Sequence, residues 1–301
     1  MPKYRKAVLA LIGANLIWGA ASPIFKFALQ NISPFTLAFI RFYGASLILL
    51  IISYPRLKIA KKDTLKLILL SIFGVSIHIS FYFLGLRLSP SINAPIISAS
   101  GPVFLYIASI FILHEKPHLK VLAGIVISLL GVLIIIGQPI FENRLDGQLL
   151  GNMFIFIAML AAIAHAIISK EIIADYSPAA LTFWMSFIGA LTFLPFASYE
   201  IYTGQFPAQL DYRGIIGIIY GIFFSSATAY TLFEYGIKYM EAQDTGVFSY
   251  LDPIAAIIIA LPLLGEKITP VFFIGSFLVF GGILLAEGKI KHHPHHRFHK
   301  R

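Results

Sequence analysis

The chain contains no cysteine. That excludes disulfide frameworks, thiolate metal sites and cysteine nucleophiles. Charge is scarce as well: 12% of the residues are Asp, Glu, Lys or Arg, where a soluble domain carries about 25%. Acids are the scarcer sign, 14 against 23 bases. No G-x-S-x-G element and no paired catalytic acids at motif spacing occur, and no G-x-x-x-x-G-K-[ST] loop supplies direct ATP drive. The expectation is therefore a protein that is not an enzyme, with no cofactor and no metal.

What fills the chain is apolar. Hydrophobic residues make up 58% and the mean hydropathy is +0.84, more than any water-soluble core needs, so lipid must cover much of the surface. A spanning helix takes about 20 apolar residues. Ten such runs can be read, over 7–27, 35–54, 65–86, 91–113, 119–138, 149–170, 178–199, 213–237, 243–264 and 270–287. The basic start from Met1 to Lys6 resembles a signal peptide, but Trp18-Gly19 and Pro23 continue into apolar sequence without a small-residue cleavage site. It reads as a retained first span.

The net charge of +9 does not point to nucleic acid, because the bases sit at span ends and in the tails. With the N-terminus inside, seventeen fall on the cytoplasmic side, grouped at Lys3–Lys6, Arg56–Lys66, Lys116 and Lys120, Lys170, Lys238 and Lys289–Arg301. Five fall on the other: Lys26, Arg87, Arg144, Arg213 and Lys267. Arg41 lies within a span. Cytoplasmic loops retain Lys and Arg, so ten spans with both termini cytoplasmic are expected, in a plasma membrane of the bacterial inner-membrane type.

The two halves repeat. A displacement of 151 residues carries Gly85 onto Gly236, Pro102 onto Pro253, Glu115-Lys116 onto Glu266-Lys267, Gly124 onto Gly275 and Gly131 onto Gly282. A displacement of 144 carries Lys26 onto Lys170 and Ser33-Pro34 onto Ser177-Pro178. Five spans per half is odd, so the second copy must be inverted. Inverted repeats are a transporter architecture with the site near the midplane. The expected fold is all-α integral membrane, with ten helices in two five-helix repeats, 7–138 and 149–287, and a basic His-rich tail, 289–301.

With Trp18-Gly19, Lys26, Pro34, Arg41, Tyr82–Leu86, Pro102, Glu115 and the spaced glycines, the chain resembles the drug/metabolite transporter superfamily, specifically its EamA-type members. The resemblance covers roughly 7–287. It implies ten helices, alternating access and frequent export of amino acids or related metabolites. Its second half departs from the pattern: Ala162 stands opposite Trp18 and Met185 opposite Arg41, so any role of those side chains rests with the first half.

Polar residues inside hydrocarbon are costly and turn inward. Asn15, Trp18, Ser22 and Lys26 share one helical face; so do Ser71, His78 and Tyr82, then Ser226, Tyr230 and Glu234, then Ser249 and Asp252, and His165 with Ser169. The substrate-binding candidates are Asn15, Trp18, Ser22, Arg41, His78, Tyr82, Ser226, Tyr230, Ser249 and Tyr250. Asp252, His78 and Glu234 are the proton-coupling candidates. Bland readings stand beside these. Hydroxyls bond their own helix or join helices; Trp18 and the tyrosines anchor at the interface; Arg41 snorkels to water; Lys26 anchors topology; Glu234 pairs with Lys238 at a helix end; Asp252 caps a carbonyl freed by Pro253. His78 is then a satisfied core histidine. Glycine pairs such as Gly217 and Gly221 read as packing sites. The tail from His292 to His299 has metal-binding composition but reads as a solvated segment.

The expected partners are a small-molecule substrate and the bilayer. A secondary carrier of amino acids or related compounds, working by alternating access and directed outward, is the leading function. A nucleotide-sugar or other organic-anion carrier is the nearest alternative; an intramembrane enzyme or a channel lies further off. A reporter active only in the cytoplasm should work when fused after Lys291 and fail when inserted near Asn143. Opposite activities at both sites would contradict the ten-span orientation.

Overall fold

The computed structural model describes residues 3–101, 103–104, 119–141, 147–206, 209–240 and 245–290. Pro102, the Glu115-Lys116 pair, Arg144 and the histidines of the tail lie outside them. Among the described residues every regular element is helical. The helices are α1 (Lys3–Ala28), α2 (Pro34–Ser53), α3 (Thr64–Ser71), α4 (His78–Leu88), α5 (Asn93–Ala99) and α6 (Leu119–Ile136). There follow α7 (Gln148–Ile172), α8 (Pro178–Tyr202), α9 (Tyr212–Ile219), α10 (Tyr230–Tyr239), α11 (Leu251–Leu264) and α12 (Pro270–Ile290).

Six described helical segments are long and apolar enough to cross a membrane: Lys3–Ala28, Pro34–Ser53, Lys61–Leu88, Gln148–Asp175, Pro178–Tyr202 and Tyr212–Tyr239. Shorter apolar helices cover Ala123–Ile136, Phe248–Leu264 and Pro270–Leu285. Large apolar side chains such as Ile51, Phe273, Phe277 and Leu284 point outward, as lipid-facing residues must. The protein is thus an all-α, multi-spanning membrane protein.

The helix starts follow from local chemistry. Pro34 and Pro178 open α2 and α8 at positions where a missing N–H costs nothing. Asp211 caps α9 by accepting from the Arg213 and Gly214 amides, and the Arg213 guanidinium beside it holds its carboxyl below the usual range. Two distant carboxylates cap helices across the bundle. Glu200 on α8 accepts from the Phe35 and Thr36 amides and the Thr36 hydroxyl. Glu266 accepts from the Ser91 and Ile92 amides just before α5, and lies 3.5 Å from Lys26. Exposed amides at helix starts favour such anions.

The apolar runs over 65–86 and 213–237 are both interrupted as α-helices. A π segment, Ile72–Ile77, joins α3 to α4, and another, Tyr220–Ala229, joins α9 to α10. The Thr228 hydroxyl donates to the Phe223 carbonyl five residues back, the reach of a π turn. Such turns slip the register of side chains without ending a helix, and hydrophobicity alone carries no sign of them.

Matching contacts recur in the two halves. Lys26 donates to the Ser89 carbonyl at the end of α4, and Lys170 to the Ile237 and Met240 carbonyls at the end of α10. A Cβ on Gly85 would stand 2.6 Å from Ile155 of α7, and one on Gly236 would stand 2.4 Å from Leu11 of α1. Along α6 and α12, a Cβ on Gly131 would meet the Gly275 carbonyl at 2.6 Å, and one on Gly282 would meet the Gly124 carbonyl at 2.5 Å. Backbones this close exclude any side chain. The seven-residue glycine spacing read from the sequence is therefore a packing feature.

Gly131→Ala and Gly282→Ala are expected to lower thermal stability in detergent, by about 1–3 kcal/mol if they behave as overpacked core sites. Gly281→Ala, one residue away and with open space around it, should change little. Equal shifts in all three would contradict the close α6–α12 approach.

Candidate functional site

Five of the six described spans converge on a central cavity of about 200 Å³. Asn15, Trp18 and Ser22 of α1, Arg41 of α2, His78 and Tyr82 of α4, Tyr230 of α10, and Ser249 and Asp252 all line it. The faces read from helical spacing in the sequence thus meet in space. His165 of α7, Ser225, Phe25, Met159 and Phe233 line it as well and were not among the candidates. Ala162, the second-half counterpart of Trp18, is also at the wall.

Arg41 is the structural centre. Its residue is 1% exposed, so the snorkelling reading is corrected: no path to water is used. Nε donates to the Ser226 hydroxyl at 2.8 Å and Nη2 to the Ser225 hydroxyl at 3.0 Å. The guanidinium carbon stands 4.4, 4.6 and 5.5 Å from the ring centroids of Phe25, Phe42 and Phe83. A Cβ on Gly221 would lie 2.9 Å from the Arg41 Cβ, so this glycine admits the side chain's stem. An arginine at a helix centre costs about 2.5–3.5 kcal/mol on insertion scales. Hydrogen bonds from a charged donor, at about 1.5–3 kcal/mol each, and cation–π contacts are together large enough to offset that. Nη1 has no hydrogen-bond partner.

The π segment explains the serines. Spacing pointed to Ser226 above Tyr230 and Glu234; Ser226 is buried, and it reaches Arg41 rather than the cavity lining. The adjacent Ser225 lines the cavity and holds Arg41 too, while its carbonyl accepts from Trp18 Nε1 at 3.3 Å. In the other π segment, the Gly74 carbonyl accepts from the Tyr230 hydroxyl at 2.9 Å and from His78 Nδ1 at 3.3 Å. Trp18 packs edge-on to Tyr230 and tilted to Phe233, each at 5.1 Å. It is a cavity wall, not an interface anchor.

The remaining hydroxyl and amide groups of α1 bond their own helix while lining the cavity: Asn15 donates to Leu11 O and Ser22 to Gly19 O. Ser249 does the same with Gly246 O. Tyr250 is not part of the lining; its ring packs edge-on to Phe280 at 6.2 Å. Lys26 is more than a topology anchor, since it joins Ser89 to Glu266.

Two carboxylates depart from their bland readings. Asp252 falls in the first turn of α11, directly after a 3-10 turn over Val247–Tyr250, and its Oδ1 bonds no carbonyl of that turn. The capping role is therefore corrected. Oδ1 of Asp252 is buried with no hydrogen-bond partner, and the residue lines the cavity. Glu234 is not paired with Lys238, whose Nζ donates to the Tyr176 carbonyl. It accepts instead from His165 Nε2 at 3.0 Å and from the Ser169 hydroxyl.

His114-Glu115-Lys116-Pro117-His118 fits the H-E-x-x-H spelling of zinc peptidases. It lies outside the described residues, and Pro117 opposes the helix that would set both histidines on one face.

The EamA-like transporter family matches residues 5–137 and 149–287. The chain is 29% identical over 300 residues to the uncharacterised transporter YetK of Bacillus subtilis (strain 168), covering 96% of this chain and 89% of that one. It is 25% identical to a probable amino-acid metabolite efflux pump of Escherichia coli (strain K12), over 93% and 94% of the two chains. A crystal structure of a protein 18% identical shares the fold, with a TM-score of 0.64 over 93% of this chain and 96% of that one. The chain belongs to the EamA-like transporter family, a family of transporters rather than enzymes, and is a secondary transporter of small molecules.

Proposed function

We propose that the protein exports amino acids or closely related amine-bearing metabolites across a plasma membrane of the bacterial inner-membrane type, by alternating access. One observation carries the substrate class: Arg41 Nη1 and Asp252 Oδ1 are both buried without hydrogen-bond partners, on two residues that line one cavity. Buried polar groups are normally satisfied, so each awaits a partner. A carboxylate suits the guanidinium and an ammonium suits the carboxylate. Trp18, Tyr82 and Tyr230, with Phe25 and Met159 beside them, offer an apolar and aromatic wall to a side chain. The other sequence candidates, Asn15, Ser22, His78, Ser226, Ser249 and Tyr250, line the cavity or support its walls. The relative named as an amino-acid metabolite efflux pump supports the direction and the class.

The working architecture is ten spans in two inverted repeats, 7–138 and 149–287, with both termini and the 289–301 tail in the cytoplasm. The reciprocal lysine and glycine contacts support it, since the 144- and 151-residue displacements carry each contact onto its counterpart. Paired π segments support it too. An organic-anion or nucleotide-sugar carrier fits less well. Among the described residues Arg41 is the one Lys or Arg in the lining, Asp252 repels an anion, and about 200 Å³ is small beside the roughly 300–1,000 Å³ of drug-sized sites. The coupling proton rests among Asp252, His78 and Glu234.

Purified protein in liposomes, screened with labelled amino acids, amines and nucleotide sugars, tests the reading. Amino acids should give saturable uptake stimulated by unlabelled substrate inside. Asp252→Asn should raise the apparent KM for an amino acid by about tenfold or more, the loss expected when a buried charge partner is removed, and should affect its deaminated analogue far less. Exchange confined to nucleotide sugars, or equal loss for both analogues, would contradict it.

A further inference from the structure

Resting on that reading, we infer that His165 and Glu234 together form the proton-binding site of the transporter, and that the bound proton and the substrate's ammonium exclude one another. The two residues face each other across the α7–α10 contact. His165 Nε2 donates to Glu234 Oε1 at 3.0 Å, and Ser169, one turn along α7, donates to Oε2. The Glu234 side chain is 0% exposed and that of His165 5%. Only the imidazole lines the cavity, so the glutamate communicates with it through the histidine alone.

Among the described residues, no lysine or arginine lies within ion-pair distance of the carboxylate. On α7, Lys170 is engaged with the Ile237 and Met240 carbonyls. On α10, Lys238 bonds the Tyr176 carbonyl. From α3, Lys66 pairs with Glu171 of α7 at 2.7 Å, at the exposed end of the helix. Facing His165 from α4 is His78, whose Nδ1 donates to Gly74 O. From α10 comes the Tyr230 ring, at 6.0 Å, its hydroxyl committed to the same carbonyl. Arg41 of α2 is held by its two serines, and Asp252 lies at the cavity wall from α11.

An ionised carboxylate alone in such a place costs several kcal/mol. A proton on the imidazole removes the imbalance: with Nδ1 and Nε2 both protonated, imidazolium and carboxylate sum to zero. The same holds if the proton resides on Oε1 and the imidazole is neutral. Either way the pair stores one proton in a dry site. An ammonium entering the cavity beside His165 brings a second positive charge next to the imidazolium. Relief comes when the imidazolium nitrogen passes its proton to cavity water, which carries it to the open side. Neutral imidazole and carboxylate remain, and the ammonium, held by Asp252 at the same cavity wall, replaces the positive charge that the proton carried away. When the substrate leaves, the pair reloads. One proton then moves against one cationic group, which is antiport. The fit around the ring enforces this: a Cβ on Gly74 would lie 2.8 Å from the imidazole Cδ2, so the ring cannot swing away from Glu234 toward that helix.

The test uses the full chain, wild type and with Glu234→Gln, Glu234→Asp and His165→Gln. In liposomes, Glu234→Gln and His165→Gln should reduce pH-gradient-driven accumulation by about tenfold or more, within the usual span of coupling between two ligands. Counterflow exchange without a gradient should survive, because it needs no net proton movement. Glu234→Asp should restore part of the gradient response. A second readout needs no substrate: ¹⁵N histidine NMR titration of the ligand-free protein, in which the His165 signal is identified by its absence from His165→Gln. Its pH response in Glu234→Gln should differ from that of the wild type. Full gradient-driven accumulation in Glu234→Gln, or an unchanged His165 midpoint, would overturn the inference. Failure of the wild type to move any amine would instead overturn the substrate reading, with the titration still deciding the proton site. A Glu234→Gln chain that does not fold passes the decision to His165→Gln and Glu234→Asp.

Discussion

A guanidinium buried without a carboxylate is the constraint on which the centre of this protein depends. Arg41 keeps its charge beneath three phenylalanine rings and two serine hydroxyls. Both serines come from one π segment, whose extra reach lets neighbouring residues serve one cation. Gly221 makes room for the arginine stem. Had a carboxylate been supplied by the protein, the charge would be spent internally. Because it was not, an N–H is left for a guest, and the same cavity carries Asp252 with the opposite need. The site is unbalanced in a way that a dipolar ligand balances.

The walls around that centre are set by close backbone contact rather than by bulky interdigitation. Gly131 with Gly275, and Gly282 with Gly124, hold α6 and α12 together at backbone distance. Gly85 and Gly236 do the same between α4 and α7 and between α10 and α1. Away from the cavity, lysines and glutamates close helix ends: Lys26, Glu266 and Glu200 on one side of the bundle, Lys170 on the other. Rigid packing of this sort suits bodies that rock against each other around a fixed midplane site.

Much of this was legible in the sequence because the bilayer makes polarity expensive. Hydrophobic runs marked the spans, and the helical faces through Trp18, Tyr82, Tyr230 and Asp252 marked the cavity, since few other residues explain polar groups at those depths. What was not legible depends on register and on contacts between distant helices. No pattern of hydrophobicity announces a π turn, so Ser225 was passed over for Ser226. Glu234 and Lys238 are four residues apart and look paired; only the packing of α7 reveals that His165 and Ser169 take the carboxylate. Arg41 looked close to a surface by counting residues, yet two of the three rings that enclose it come from α1 and α4, which a linear count does not see.

The most direct test of the central claim, that this cavity is where substrate binds, uses the scarcity of tryptophan. There are two. Trp184 donates to the Leu57 carbonyl beside Phe183 and Phe187, outside the cavity lining. Trp184→Phe therefore leaves Trp18, in the cavity wall, as the single indole. Titrating that protein with an amino acid it exchanges in liposomes should change the Trp18 emission saturably, with a midpoint matching the concentration dependence of exchange. Unchanged emission throughout, in a preparation that exchanges the same compound, would contradict the account and move the binding site elsewhere.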